Sequence, residues 1–317
     1  MPKPAPASPF VQLAQPYPRN RVELAQWFGS EDRCLDYLDS LRWADGFTCP
    51  KCDGHDSWRT SPGVRRCKSC RRRVSVTAGT LFQDTRKPLS AWFEALWHVC
   101  GQKNGGSALS LQRALGLGCY ETAWAWLHRM RQAMVCPGRN KLDGEVEVDE
   151  AFIGGVKTGG GKGRASPGKT LVLVAVEVRG TTIGRARLQV IPDATAATLI
   201  PATMELIEPG SDVVTDGWAS YAGLPKHGYN HVVSRPTPKV GDNVLPHAHR
   251  VIALLKRWLL GTHQGAVSHE RLQSYLDEFV FRFNRRASRF RGLLFYRLLQ
   301  QAIAHAPITQ ESISNAA

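Results

Sequence analysis

The stretch EVEVDEAFIGG, residues 145–155, has the alternation of a half-buried β-strand. Successive side chains of a strand point to opposite faces, so Glu147 and Asp149 share one face while Val146 and Val148 share the other. Downstream, the sequence predicts a helix at ATLIPATMELIEPG and further strands at KTLVLVAVEVRG, IGRARLQVIP, SDVVTDG and HVVSRP. Strands followed by helices predict an α/β core with a mixed sheet.

Two aspartates of this core stand where predicted strands end. Asp149 ends the run EVEVD, and Asp216 ends DVVTD just before Gly217. A single carboxylate in such a position usually starts a turn or caps a helix, but two of them followed by a polar helix face indicate a metal site. Hard oxygen ligands suit Mg²⁺, which often uses one or two protein carboxylates together with substrate phosphates. We therefore predict that Asp149 and Asp216 are ligands of a catalytic metal ion.

The polar helix face belongs to LPHAHRVIALLKRW, residues 245–258. His249 and Lys256 are seven residues apart, close to two helical turns, so their side chains share a face. Apolar residues such as Leu255 fall on the opposite side at the spacing of a core-facing stripe. A solvated polar face is the alternative explanation. His247 points in another direction around the helix and is the weaker candidate.

Four of the eight cysteines stand in the pairs CPKC and CKSC, which are separated by 14 residues. In a reducing compartment this arrangement predicts a four-cysteine zinc site rather than a disulfide framework, because each CxxC turn offers two thiolates to a tetrahedral ion. The surrounding segment, roughly 45–77, suits a zinc ribbon of small strands. The predicted zinc ligands are Cys49, Cys52, Cys67 and Cys70.

The charge balance favours a polyanionic partner, nucleic acid first. Lys and Arg number 41 against 27 Asp and Glu, a formal net charge of +14. From Arg59 to Arg73 there are seven basic residues and no acidic one, which next to a zinc module indicates phosphate contact rather than a solvated charge run. The predicted DNA-binding residues of this segment are Arg65, Arg66, Lys68, Arg71, Arg72 and Arg73.

Residues 89–134 predict three helices, with a break at GLGC between the last two. This pattern is similar to a helix-turn-helix, whose second helix enters the major groove, although small helical bundles have similar breaks. Arg129 and Arg131 lie on that second helix and complete the predicted DNA-binding set. No run of about 18 apolar residues exists, so we expect no membrane span and a cytoplasmic chain associated with the nucleoid.

Composition divides the chain into five parts. We expect a disordered proline-rich tail, an N-terminal helix with the zinc ribbon, a helix-turn-helix-like module, the catalytic domain and a C-terminal tail, over 1–20, 21–80, 86–138, 143–304 and 305–317. GRASPGKT, residues 163–170, matches the phosphate-loop pattern, but it runs into a predicted strand instead of a helix. We interpret 156–168 as a flexible basic hairpin connection.

The chain resembles an insertion-sequence transposase of the DDE class, from the group with an N-terminal zinc ribbon. The resemblance covers roughly residues 22–304 and rests on TCPKC with CKSC, TAGTLFQDTRKPLSAWF, VEVDEAFIGG, TDGWASY, LLKRWLLGTHQG and YLDEFVFRFNRR. It implies a ribonuclease-H-like catalytic core in which the family's first two catalytic aspartates match Asp149 and Asp216.

The third catalytic residue departs from the usual pattern of the family. Most such enzymes have a Glu seven residues before a Lys; here Lys256 matches the Lys, and His249 stands at the Glu position. Related groups vary this residue among Glu, Asn and His. A neutral imidazole adds no negative charge and is a softer ligand than carboxylate, so we expect the second ion of a two-metal site to be bound more weakly or to be Mn²⁺. Alternatively, His249 acts as a general base or orients the water, while Lys256 contacts a DNA phosphate or is merely solvated.

The resemblance implies a metal-dependent DNA transposase with structural Zn²⁺ and catalytic Mg²⁺ or Mn²⁺. Its partners are double-stranded DNA, as terminal inverted repeats and target, and further copies of the chain, because strand transfer needs two ends held together. Two alternatives remain open. One is a zinc-containing DNA-binding protein whose core has lost catalysis; the other is a nuclease of the same fold that cuts DNA without joining it.

Overall fold

The computed structural model describes residues 16–136, 138–154, 169–235, 243–265, 267–308 and 313. The predicted basic connection 156–168 and most of the proline-rich tail therefore lie outside the described residues. The chain forms two compact units, one made of the residues up to Gly138 together with those from Ala287 onward, the other of Arg139–Arg286. None of the helices in the described ranges has both the length and the apolar character needed to cross a bilayer.

The first unit begins with two short helices and a three-stranded antiparallel sheet of order β1-β2-β3. One N-terminal helix was predicted within 21–80; the structure has two, with a break around Gly29, and Asn20 caps the first by accepting from the Glu23 amide at 2.9 Å. Three more helices follow, as predicted over 89–134. In order, the elements are α1 (Arg21–Trp27), α2 (Glu31–Arg42), β1 (Ser57–Ser61), β2 (Val64–Cys67), β3 (Arg73–Ser75), α3 (Leu89–Gly101), α4 (Ala108–Leu115) and α5 (Tyr120–Ala133).

The second unit contains a mixed five-stranded sheet of order β6-β5-β4-β7-β8, which confirms the predicted ribonuclease-H-like core. Strand β5 pairs antiparallel with both β4 and β6, whereas β7 pairs parallel to β4, and β8 pairs parallel to β7. Its elements are β4 (Glu145–Ile153), β5 (Thr170–Arg179), β6 (Thr182–Ile191), α6 (Ala196–Leu206), β7 (Asp212–Thr215), β8 (Asn230–Val233), α7 (Pro246–His263) and α8 (Leu272–Phe283).

Apolar side chains cover both faces of this sheet. Val146 and Val148 pack with α6 on one face, whereas Ala151 and Ile153 pack with α7 and α8 on the other. The alternation read from the sequence is therefore present in the structure, with both faces buried rather than one. Glu147 and Asp149 lie on the same face of β4 as Ala151, because side chains alternate along a strand. Both therefore face α7.

The last helix, α9 (Arg291–Ala304), belongs to the first unit, where it packs against α3. From the sequence, residues up to 304 were assigned to one domain with the strands; in the structure the second unit ends at Arg286, because the aromatic face of α9 is buried in the first unit. Phe295, for example, lies 5.8 Å from Phe93, measured between ring centroids.

Residues 16–20 are also a correction, since the sequence assigned them to a disordered tail. Pro18 is buried, and the hydroxyl of Tyr37 donates to the Pro16 carbonyl at 2.8 Å. The segment crosses α9 so closely that a Cβ atom on Gly292 would lie 1.7 Å from the Pro18 carbonyl oxygen. A glycine is therefore required at 292.

Candidate active site and zinc site

The two predicted aspartates lie on neighbouring strands of the second unit. Glu147 of β4 pairs with Val214 of β7 in parallel register, and continuing this register brings Asp149 level with Asp216. Asp149 lies in the middle of β4, which continues to Ile153; the prediction that it ends a strand is wrong, because β5 pairs with β4 as far as Ile153. Asp216 follows β7 directly, as predicted.

Both carboxylates have defined surroundings. Burial is the main cause that raises the pKa of Asp149, and the nearby Asp216 carboxylate acts in the same direction, while His249 opposes both. The Asp216 side chain accepts a hydrogen bond from the Trp218 amide at 3.0 Å, which fixes the turn after β7. A half-buried carboxylate beside a second one favours a bound cation, because the cation offsets both desolvation and mutual repulsion.

His249 reaches Asp149 from α7. Its Nε2 atom lies 3.2 Å from Asp149 Oδ2, and its Nδ1 atom lies 2.5 Å from Asn243 Oδ1. Two donor atoms bound to one divalent ion at about 2.1 Å each would lie roughly 3 Å apart, so the donor set fits a shared metal ion. We call Asp149, Asp216 and His249 the Asp149 cluster. Of its members, Asp149 and His249 are in contact.

A buried glutamate that the sequence analysis did not single out holds α7 in place. Glu147, 5% exposed, accepts from the Ala248 amide and lies against His247 Nδ1, each at 2.7 Å. The Ala248 amide is one of the free donors in the first turn of α7, so Glu147 caps this helix from the neighbouring strand. The alternation of β4 placed Glu147 beside Asp149, which was the available signal. His247, the weaker candidate for the active site, therefore contacts Glu147.

Lys256 lies two turns beyond His249 on the same helix and is exposed. Leu255 is fully buried on the opposite side, so the predicted division of α7 into a polar and an apolar face is observed. The structure holds no DNA, and contact between Lys256 and a phosphate remains a prediction.

The four predicted zinc ligands lie together in the first unit. All four Sγ atoms of Cys49, Cys52, Cys67 and Cys70 lie within 4.8 Å of one another. A hydrogen bond from the Cys70 amide is the largest of the causes that lower the pKa of Cys67 to about 6, so this thiol readily becomes the thiolate that zinc binds. Four converging sulfur atoms with amide support fit a tetrahedral structural zinc ion.

The basic residues of the zinc ribbon differ in how much of each side chain is available to a partner. Arg65 forms an ion pair with the Asp39 carboxylate and stacks on Trp43, so part of its charge is already compensated. Arg66 and Arg71 lie over the ring of Trp58. Of the predicted DNA-binding residues of the ribbon, five are exposed: Arg66, Lys68, Arg71, Arg72 and Arg73.

Arg129 and Arg131 lie on α5, the predicted second helix of a helix-turn-helix, and are less available to DNA. Arg131 is only 2% exposed and therefore presents no guanidinium to DNA in this structure, which corrects its assignment as a DNA-binding residue. Its position on α5 faces the interior of the helical part because Met130 and Ala133, its neighbours, are buried too. Arg129 is half-buried, and burial lowers its pKa.

Comparisons with known proteins match both units. A family model described as an ISXO2-like transposase domain matches residues 141–284, and one described as a transposase zinc-ribbon domain matches 29–73. Together they match more than half of the chain. A relative from Halobacterium salinarum, described as an uncharacterized protein in transposable element ISH50, is 28% identical over 80% of this chain and 91% of its own length. The first match ends at 284, close to where the second compact unit ends.

Among solved structures, two Mos1 transposase complexes are similar at low levels. A pre-cleavage Mos1 transpososome shares 12% identity at a TM-score of 0.29, covering 74% of this chain and 81% of the other. A Mos1 paired-end complex with the left transposon end shares 13% at a TM-score of 0.30, covering 70% and 79%.

Proposed function

We propose that this chain, which belongs to the insertion-sequence transposases of the DDE class with an N-terminal zinc ribbon, cuts transposon ends and joins them to target DNA. The observation that carries the proposal is the Asp149 cluster. Its members come from β4, from the end of β7 and from α7, and all lie within the part of the chain that matches the transposase domain.

In this proposal Asp149, Asp216 and His249 hold a divalent metal ion, Mg²⁺ or Mn²⁺. The ion supplies charge that activates the attacking oxygen and stabilises the leaving oxygen of a phosphodiester. The protein residues supply the arrangement. The sheet fixes the separation of the two carboxylates, and Glu147 anchors α7 so that His249 Nε2 faces Asp149.

The remaining residues act on the DNA. Lys256, exposed on the same face of α7, contacts a phosphate of the strand being processed. The zinc ribbon, held by one Zn²⁺ ion, contacts the terminal inverted repeat through its exposed basic residues, Arg66, Lys68, Arg71, Arg72 and Arg73, with a smaller part for Arg65 and Arg129. Two ends must be joined in one reaction, so the working form is a homo-oligomer on DNA.

The test is strand transfer of a labelled, pre-cut terminal repeat into plasmid DNA, with Mg²⁺ and with Mn²⁺. The repeat is taken from the DNA that flanks the gene. We expect wild type to form joined products, and Asp216→Ala and His249→Ala to fail while both still bind the repeat. Asp143→Asn is a matched control, because Asp143 is an exposed aspartate of the same unit, outside the cluster.

Each alternative has its own outcome in this experiment. Binding of the repeat without cutting or joining by wild type, in either metal, indicates a DNA-binding protein that has lost catalysis. Cutting of an intact repeat without joining of a pre-cut one indicates a nuclease. Joining by His249→Ala at the wild-type rate removes His249 from the active site.

A further inference from the structure

We propose that Asn243 is a positioning residue that fixes the tautomer of His249 and so directs its Nε2 lone pair at the metal position. The inference rests on the proposed function for the role of His249 as a ligand. Nothing in the sequence motifs marks Asn243, which precedes α7 and lies outside the matched catalytic positions. Asn243 Oδ1 lies against Nδ1 of the His249 ring, and Asp149 Oδ2 lies against Nε2.

The identity of the Asn243 atom at His249 follows from a second hydrogen bond. The side-chain oxygen and nitrogen of an asparagine are easily interchanged in a structure, so their assignment needs a neighbour of known polarity. Leu245 provides one, because its backbone amide can only donate, and this amide bonds Asn243 Oδ1 at 3.2 Å. The atom that lies 2.5 Å from His249 Nδ1 is therefore an oxygen, and His249 Nδ1 must carry the hydrogen.

This hydrogen decides what the other ring nitrogen can do. A neutral imidazole carries one N–H, so a hydrogen on Nδ1 leaves a lone pair on Nε2. That lone pair lies 3.2 Å from Asp149 Oδ2, which also offers lone pairs, and the two atoms repel each other unless a proton or a metal ion lies between them. Asn243 thus prepares two ligand atoms for one metal ion, as outer hydrogen-bond partners of ligating histidines commonly do.

The position of Asn243 suits this task. The hydrogen bond that it accepts from the Leu245 amide ties it to the N-cap residue of α7, while Glu147 anchors the same helix end from β4 through the Ala248 amide. The helix and the imidazole ring are therefore fixed by separate contacts. Removing the Asn243 oxygen should free the ring without releasing the helix.

The first experiment measures the tautomer directly, on full-length zinc-loaded protein with ¹⁵N-labelled histidine and no DNA or added divalent metal. At roughly pH 8.5, about two units above the ordinary imidazole pKa, the ¹⁵N shifts distinguish the two neutral tautomers. His249 signals are identified by their loss in His249→Gln. We expect the Nδ1–H form in wild type, an exchanging mixture in Asn243→Ala, and the Nδ1–H form again in Asn243→Asp, which keeps an oxygen acceptor.

The second experiment measures Mn²⁺ affinity of the same proteins by electron paramagnetic resonance, again without DNA. Loss of an outer-shell partner typically weakens metal binding by about 10–100-fold, so we expect at least ~10-fold weaker binding in Asn243→Ala and recovery in Asn243→Asp. Asn230→Ala, an exposed asparagine on β8, is the matched control and should bind like wild type. If Asn243→Ala does not fold, Asn243→Ser takes its place.

An Nε2–H tautomer in wild type, or identical signals and Mn²⁺ affinity in wild type and Asn243→Ala, would overturn the inference. Neither readout depends on DNA chemistry. A protein with the Nδ1–H tautomer and Mn²⁺ binding but no strand transfer contradicts the proposed function alone. A protein that transfers strands with an Nε2–H histidine contradicts this inference alone.

Discussion

The zinc ribbon and the Asp149 cluster differ in how far apart their members lie along the chain. The four cysteines lie between residues 49 and 70, and each CxxC turn presents two of them by itself. The Asp149 cluster spans residues 149 to 249 and exists only when β7 pairs with β4 and α7 packs on the sheet. One site is therefore a property of local turns, and the other a property of the completed fold.

The largest expected effect is removal of a zinc ligand. Cys67→Ser should lose the bound zinc and the ordered ribbon, because structural zinc contributes about 10–16 kcal/mol in zinc-finger peptides and a ribbon this small has little core of its own. Zinc content by atomic absorption is the measurement. The control is Cys119→Ser. Cys119 is exposed and lies outside the four-cysteine site, so this variant should keep its zinc. A Cys67→Ser protein that kept its full zinc content would show that Cys67 is not a zinc ligand.

The assembled site should respond to substitution in its activity rather than in its fold. Asp149→Ala should lower strand transfer by roughly 10³-fold, since loss of one preorganised charged group commonly costs 10²–10³ in rate. Melting temperatures measured in parallel separate a loss of activity from a loss of the fold. Asp149 is half-buried with a raised pKa, so its removal relieves a partly desolvated charge and should leave the fold intact. A collapse of the fold would make Asp149 a structural residue.

How far the sequence predicted each site follows from this difference. The cysteine ligands were readable because four sulfur atoms in two CxxC turns have almost one arrangement around zinc. Asp149 and Asp216 were predicted as metal ligands from their positions at strand ends, and only the family motifs joined His249 to them, since nothing local to any of the three shows which strand lies beside β4. The strands and their alternation were predicted, and the mixed sheet is confirmed.

What the sequence did not reveal are contacts between residues far apart. Glu147 was placed on the correct face, but its bond to the Ala248 amide depends on where α7 begins relative to β4. Arg131 looked like a DNA-binding residue because its charge is visible and its burial is not. The position of α9 was missed for the same reason, since its apolar face fits either unit until packing decides.

A long-range contact of this kind can be broken by one methyl group. Gly292→Ala should destabilise the first unit by about 2–3 kcal/mol, because its Cβ would lie 1.7 Å from the Pro18 oxygen and the segment must move. Gly261→Ala is the matched control. Gly261 lies in α7 with nothing within 4 Å of the added atom, so higher helix propensity should stabilise by up to about 1 kcal/mol. Unfolding in urea measures both, and an unchanged Gly292→Ala would show that residues 16–20 do not pack on α9.

The smallest predicted effect concerns a charge pair that is local in sequence but buried in the sheet. Glu177 and Arg185 meet across the β5–β6 hairpin, where the register shifts and Glu177 is 1% exposed. Burial alone would raise the pKa of Glu177, but hydrogen bonds and charge from Arg185 outweigh burial and lower it to about 2. The folded carboxylate thus holds its proton more weakly than the unfolded one, whose pKa is about 4.5.

The sign of the pH dependence follows from this order of pKa values. The stabilisation is complete above about pH 4.5 and is lost as the pH falls toward 2, and we expect about 2 kcal/mol across this window. Glu177→Gln should reduce stability at neutral pH and should flatten the dependence of stability on pH between pH 4.5 and 2. Glu208 is exposed, so Glu208→Gln should keep the wild-type dependence on pH. Melting temperature against pH is the measurement. A Glu177→Gln curve of melting temperature against pH that runs parallel to wild type would mean that this pair contributes no more than a surface ion pair. Closeness in sequence would then say nothing about how strongly two charges are coupled.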